Sequence, residues 1–273
     1  MPKIVRFHEV GSADVLKLEE LPLAEPGQGE VRLKVEAIGL NRAEVMFRQG
    51  QYLQRPQFPS RIGYEAAGVV DAVGPGVGDV RIGERVSTIP SFSMDQYGVY
   101  GESAIVPAYA VARYPDNLTP VEGTAIWMQY LTAFGALVEF GRIQKGDPVL
   151  ITAASSSVGL AAIQVARAAG ALAIATTRGA DKKQFLIAAG ADQVIVSDEE
   201  KLAERVMALT AGNGARVGSQ SWVFAILKRR SHGQLGVFMG KSHQTLTHAP
   251  GGTMDGKINR GHCFASSLYL NQL

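Results

Sequence analysis

A chain of 273 residues with 46% apolar residues has the material for two ordinary domains, each with its own core. The formal net charge of +2 is too small to argue for nucleic acid or an anionic membrane as partner, and the single Cys263 excludes an intrachain disulfide and any cysteine-rich zinc site. No apolar signal core stands in the opening MPKIVRFHEVG and no apolar run reaches membrane-spanning length, so a soluble, cytoplasmic protein is expected.

Residues 1–118 read as mostly β. Lys3 to Phe7 predicts a strand, and Glu30 to Ile38 alternates charged and apolar residues as a half-buried strand does. Ala66 to Gly74, Gly83 to Ser87 and Ala104 to Pro107 follow the same pattern, with Gly74-Pro75-Gly76 as a turn. Many short strands with frequent Gly and Pro turns predict a small barrel or curled sheet. Asn41 to Arg48 reads as a short helix with Asn41 in N-cap position. From 119 the pattern changes. Val121 to Phe140 has helical spacing, and from Asp147 to Arg216 strands and helices alternate. The strands are Val149 to Thr152, Ala171 to Thr177 and Gln193 to Val196; the helices run from Leu160, from Asp181 to Ala189 and from Asp198 to Thr210. Such alternation predicts a parallel sheet with helices on both faces.

The stretch Gly146 to Arg167, GDPVLITAASSSVGLAAIQVAR, has the form strand, small-residue turn, helix. Open N–H groups and the positive end of a helix dipole suit a pyrophosphate, and small residues let the backbone approach it. A strict G-x-G-x-x-G is absent, since Ala153, Ser155 and Ser156 stand where glycines would; an ordinary βα turn fits the same residues. Beyond the second strand no acid stands at the tip. Thr177, Arg178 and Lys182 follow, a set that suits a ribose 2′-phosphate and so favours NADPH over NADH, with Asp181 nearby as the contrary sign.

In the order of these parts the chain resembles the medium-chain dehydrogenase/reductase superfamily, within its zinc-free quinone oxidoreductase branch. Ala37-Ile38-Gly39-Leu40-Asn41-Arg42, Gly63-Tyr64-Glu65-Ala66-Ala67-Gly68, Gly83-Glu84-Arg85-Val86, Tyr130-Leu131-Thr132-Ala133 and Ala189-Gly190-Ala191-Asp192 each resemble a family motif. Gly146 to Arg167 follows the branch signature with Leu150, Gly159, Gln164 and Arg167 in place and Ser156-Ser157 for its usual Gly-Gly pair. The resemblance implies an α/β protein: an N-terminal GroES-like β-barrel domain over 1–118, the first half of a Rossmann doubly wound parallel sheet over 119–217, and an atypical tail over 218–273. It implies NADPH as cofactor, a small-molecule quinone, enone or other carbonyl substrate, and no metal. Zinc-dependent relatives carry a Cys where this chain has Leu40 or Asn41 and a His where it has Tyr64, and Glu65 alone cannot hold zinc. Asn41 and Thr132 are implied on the nicotinamide side. Tyr52 and Tyr64 are expected beside them, Tyr64 either as a donor to a substrate carbonyl or as a buried structural tyrosine. Ser155, Ser156, Ser157, Val158 and Gly159 are expected at the pyrophosphate. Phe47, Phe92, Tyr97 and Trp127 either line a substrate pocket or pack the core.

After Val217 the family pattern breaks. The tail holds four of the five His, the single Cys and the basic run Lys228-Arg229-Arg230, and Asp255 is its one carboxylate. A frameshifted or mis-spliced product, a truncated form and a divergent tail are the three explanations, the first two favoured. Half the parallel sheet is then expected to be missing or substituted, a central strand to become the sheet edge, and the family's homodimer not to be retained. Three readings stay open: an NADPH-dependent quinone or enone oxidoreductase, an enoyl reductase of lipid or polyketide type, and a non-catalytic form that binds NADPH weakly or not at all.

Overall fold

The computed structural model describes residues 1–215 and, for the backbone, three strands beyond them: 217–220, 223–229 and 235–239. It divides into two compact units, Met1–Met128 and Gln129–Leu273. The change of texture at 119 coincides with a helix start. Thr119 accepts from the Glu122 amide while the Glu122 carboxylate accepts from the Thr119 amide, a capping box with Pro120 at the first turn.

The first unit contains, in order, β1 (Lys3–Phe7), β2 (Lys17–Glu20), β3 (Glu30–Gly39), α1 (Arg42–Arg48), β4 (Ser60–Arg61), β5 (Glu65–Val73), β6 (Arg85–Thr88), α2 (Met94–Tyr97), β7 (Ser103–Pro107), β8 (Val111–Arg113) and α3 (Pro120–Thr124). A further helix, α4 (Trp127–Phe134), starts at its end. The strands form two antiparallel sheets, β2-β1-β4 and β7-β3-β5-β6-β8. Main-chain bonds join them: Val5 donates to the Tyr100 carbonyl at 2.9 Å and Glu102 to the Lys3 carbonyl at 2.8 Å. One core fills the space, from Phe7, Val31 and Leu33 through Phe47 and Val70 to Val106. The alternation of β3 places Val31 and Leu33 inward. Arg32 is also buried, because Asp71 and Glu25 pair its guanidinium at 2.8 and 3.0 Å and the Ala24 carbonyl accepts a third bond.

The second unit continues through a π-helical turn (Gly135–Phe140) to β9 (Pro148–Ile151), α5 (Ser157–Ala168), β10 (Leu172–Thr177), α6 (Lys183–Ala188), β11 (Gln193–Val196), α7 (Leu202–Leu209), β12 (Val217–Gln220), β13 (Val223–Arg229) and β14 (Leu235–Met239). The sheet order is β11-β10-β9-β12-β13-β14. Strands β9 to β12 pair in parallel; β13 and β14 pair antiparallel. Alternate residues of β9 and β10 enter different cores. Val149, Ile151, Ala173 and Ala175 pack with Ala162, Ile163 and Leu186 of the helices; Leu150 and Ile174 pack with Ile195 and Val206. Burial on both sides explains the near-continuous apolar runs of these strands.

The expectation that a central strand would be left as the sheet edge is corrected. β12 is flanked by β9 on one side and β13 on the other, so an antiparallel hairpin occupies the place of further βα units. Within the tail, β13 occupies Val223–Arg229. Ala249 to Thr253, Asp255, Cys263, His232, His243, His248 and His262 lie outside the described residues. Among the described residues no helix is long and apolar enough to cross a membrane.

Candidate functional site

In the first unit a polar cluster forms where the end of β3, the start of α1 and the start of β5 meet. Its base is Glu65, the first residue of β5, only 3% exposed. Glu65 Oε2 accepts from Asn41 Nδ2 at 2.8 Å, and Oε1 accepts from the Met128 amide in the first turn of α4 at 2.9 Å. Burial pushes the Glu65 carboxyl up, and these two donors pull it back. Asn41 has the backbone of an N-cap, but its side chain makes no cap bond; the amide serves Glu65 instead.

The cluster holds a second buried carboxylate. Glu44, in the first turn of α1, is 4% exposed. Its Oε1 accepts from the Tyr64 amide at 3.2 Å, while Oε2 is buried with no hydrogen-bond partner. Burial pushes Glu44 up to about 7, against the pull of N–H groups of Tyr64, Asn41 and its own backbone. Tyr64 packs edge-on against Tyr52 with ring centroids 6.3 Å apart, and each phenol acts on the other's titration. Both hydroxyls are raised, first by burial; the Glu44 charge raises them further. The Tyr64 carbonyl accepts from Thr88 Oγ1 at 2.7 Å. Gly63 precedes this tyrosine at φ +106°, where a Cβ would stand 2.1 Å from the Tyr100 ring. No other residue combines that dihedral with that contact. Tyr100 in turn donates to the Gly39 carbonyl at 2.8 Å, which ties down the stretch leading to Asn41.

Asn41, Tyr52 and Tyr64 are therefore gathered around two carboxylates. The sequence candidates do not include Glu44, and Glu65 enters them only as a carboxylate that cannot hold zinc alone. The signal for both was a carboxylate inside an apolar stretch: Ala43-Glu44-Val45 and Tyr64-Glu65-Ala66. Of the four aromatic pocket candidates, Phe47 is fully buried against Phe7 and Phe92 lies between Tyr64 and Tyr97. Tyr97 donates to Glu30 at 2.8 Å, and Trp127 Nε1 donates to Ser87 at 3.0 Å. Among the described residues no group of three or more His, Cys, Asp or Glu is placed to hold a metal ion.

In the second unit the turn after β9 leads into α5. Ala153 takes φ +48°, and the Ala154 amide donates to the Thr176 carbonyl at 3.2 Å, so the turn lies against the tip of β10. Ser156 caps the helix: its Oγ accepts from the Gly159 amide at 3.1 Å. A Cβ on Gly159 would stand 2.6 Å from the Ala154 carbonyl oxygen, so glycine is needed for the helix to meet the turn. Ser155 is half-buried and Ser157 and Val158 begin the helix. Thr177 is buried with Oγ1 donating to the Gly179 carbonyl at 3.2 Å. Arg178 and Lys182 follow it, both exposed. Thr132 is an exposed position on α4.

A β-rich unit with a buried polar cluster, followed by a β-turn-α-β sheet with a small-residue helix start, defines the class of two-domain nucleotide-dependent dehydrogenases and reductases. Residues 27–116 match the alcohol dehydrogenase GroES-like domain family, and residues 157–223 match the zinc-binding dehydrogenase family. The chain is 36% identical over 233 residues to the quinone oxidoreductase of Salmonella typhimurium, which is 83% of this chain and 70% of that protein. It is 34% identical over 250 residues to quinone oxidoreductase 1 of Escherichia coli, 89% of this chain and 74% of that protein. It spans less of others, 44% of the human synaptic vesicle membrane protein VAT-1 homolog at 37% identity over 64% of this chain. Among solved structures, E. coli quinone oxidoreductase complexed with NADPH superposes with a TM-score of 0.72 at 34% identity, covering 80% of this chain and 66% of that one. The CurK enoyl reductase superposes with a TM-score of 0.71 at 29% identity, covering 81% and 68%. The chain belongs to the zinc-free quinone oxidoreductase branch of the medium-chain dehydrogenase/reductase superfamily.

Proposed function

We propose that the chain is a zinc-independent oxidoreductase that uses NADPH to reduce a quinone or a conjugated carbonyl compound. The observation that carries the reading is the start of α5. Its first turn presents the amides of Ser157 and Val158, the Ser156 cap engages only Gly159, and no Cβ stands at the Gly159 approach. The residues fit a dinucleotide. Ser155, Ser157 and Val158 would receive the pyrophosphate, and Arg178 and Lys182 a 2′-phosphate, beyond a strand tip that carries no acid. The tied-down hydroxyl of Thr177 would shape that tip. Bound NADPH supplies the hydride.

The chain's own residues then have to orient and protonate. Asn41, its amide fixed by Glu65, would serve as a positioning group, and Thr132 is the other residue that the family resemblance implies for the nicotinamide. Tyr64 and Tyr52 supply phenol donors for an acceptor oxygen that gains negative charge. The likeness to CurK enoyl reductase favours a second reading in which the acceptor is an α,β-unsaturated thioester. Purified chain is to be mixed with NADPH and, in separate reactions, a simple para-quinone and a crotonyl thioester, with the NADPH absorbance followed. Oxidation with the quinone is expected. Oxidation with the thioester alone selects the second reading. Failure with both, together with no quenching of NADPH fluorescence, overturns both and leaves a non-catalytic form.

A further inference from the structure

Glu44 is a buried acid that the reading above does not use. It sits behind the two phenols, with one oxygen on the Tyr64 backbone and the other buried without a hydrogen-bond partner. A carboxylate with a buried, unpartnered oxygen is costly to ionise, whereas the protonated acid places its hydroxyl there at little cost. The groups around it are the phenols of Tyr52, Tyr64 and Tyr100, on which its charge acts, and the Asn41 amide; Glu65, at the start of β5, acts on the same Tyr100 phenol. On its own helix Arg48 gives Nη1 to the Gly11 carbonyl at 2.7 Å.

We propose that Glu44 is a positioning residue for proton delivery: in its protonated form it lets the Tyr52–Tyr64 pair give a proton to the oxygen of a reduced acceptor, and its ionisation switches that delivery off. The inference rests on the hydride-transfer reading. Hydride adds two electrons and one hydrogen to the acceptor, whose carbonyl oxygen becomes an oxyanion. A phenol O–H bond breaks as the product O–H bond forms, and solvent returns a proton to the phenolate. An ionised Glu44 sets a second negative charge beside that phenolate, and its field adds to the burial that holds both phenols above their ordinary values. Neutral Glu44 removes this repulsion while keeping its hold on the Tyr64 amide.

The test compares the native chain with Glu44→Gln and Glu44→Asp. Glutamine keeps a carbonyl oxygen for the Tyr64 amide, so Glu44→Gln is expected to fold and to quench NADPH fluorescence as the native chain does. For the native chain, kcat for quinone reduction is expected to fall about tenfold per pH unit above about 7. Glu44→Gln should lose this limb, and Glu44→Asp should keep it at a shifted pH. A second readout needs no turnover. Folding raises the Glu44 pKa from 4.5 to about 7, so the native chain should lose stability relative to Glu44→Gln as pH rises through that window, with the gap constant above it. Urea midpoints across pH measure this. A basic limb that survives in Glu44→Gln overturns the inference, as does a urea gap that does not change with pH. A native chain that shows the urea titration but reduces neither quinone nor thioester overturns the hydride reading itself, and the inference falls with it.

Discussion

Asn41 shows how a single side chain is committed by tertiary structure. Its sequence position, before Arg42-Ala43-Glu44, suits a helix cap, and the backbone has that conformation. The amide instead gives one of two hydrogen bonds to the buried Glu65 carboxylate. Asn41→Ala should therefore leave the α1 cap energetics unchanged and act through Glu65. Loss of one donor to a buried carboxylate costs about 1–3 kcal/mol. The sign with pH follows from the direction of the shift. Glu65 is already raised by burial, and removing a donor to its ionised form raises it further. The penalty is thus full above the folded pKa and fades as pH falls below it. Urea unfolding of Asn41→Ala at alkaline and at mildly acidic pH checks this, and an equal penalty at both would refute the assignment. Asn41 and Tyr64 were legible as polar residues in family-like motifs, and Tyr52 as a polar residue expected beside them. Glu44 was not, because a carboxylate in the first turn of a helix is an ordinary solvated feature. Its burial comes from Tyr64, twenty positions away, and no local pattern encodes that contact.

At the level of elements, the strand-turn-helix of β9 and α5 is where sequence and structure agree most closely, and its details show what serines do in place of glycines. Ser156 spends its hydroxyl on the Gly159 amide, so it stabilises the helix start and leaves the amides of Ser157 and Val158 as the donors. Ser156→Ala should lower the unfolding midpoint of the second unit by an amount matching about 1 kcal/mol. Gly159→Val should cost more, because its side chain would press on the Ala154 backbone at 2.6 to 2.7 Å. Beyond β10, removal of both cations in Arg178→Ala/Lys182→Ala should weaken NADPH binding at least about tenfold, with little change for NADH, since each charge-assisted contact to a phosphate is worth a kcal/mol or more. Fluorescence titration with the two nucleotides decides; equal losses for both would remove the 2′-phosphate from these residues. The elements that periodicity did not reveal are β2, β4, β8 and α2, of two to four residues each. Such lengths give too few alternations for a pattern to register. Arg32 likewise reads as a solvent-facing charge, and only its pairing with Asp71 from the neighbouring β5 explains why it is buried.

For the molecule as a whole, each unit has a core made from its own residues. One cluster runs from Phe7 to Val111 with Met128 at its margin, and the other two are drawn from residues 133–215. The sequence carried the longer strands and helices of the first unit and the β9-to-α7 part of the second, because elements of that length repeat their burial pattern. It did not carry the fate of the sheet beyond β12, since a composition foreign to the family says nothing about pairing. Strand β12 lies between β9 and β13, and it is the only protection β9 has on that side of the sheet. Two truncations separate these dependences. Residues 1–128 expressed alone should unfold in one cooperative urea transition, followed by the fluorescence of Trp127, the sole tryptophan in that piece. A chain ended after Ala215 should keep that transition but expose β9 as a parallel edge with free N–H and C=O groups, and so should aggregate where the full chain does not. Light scattering at matched concentration measures the difference. A 1–215 chain that stays monodisperse would mean that β12 and the strands beyond it are not what protects the β9 edge.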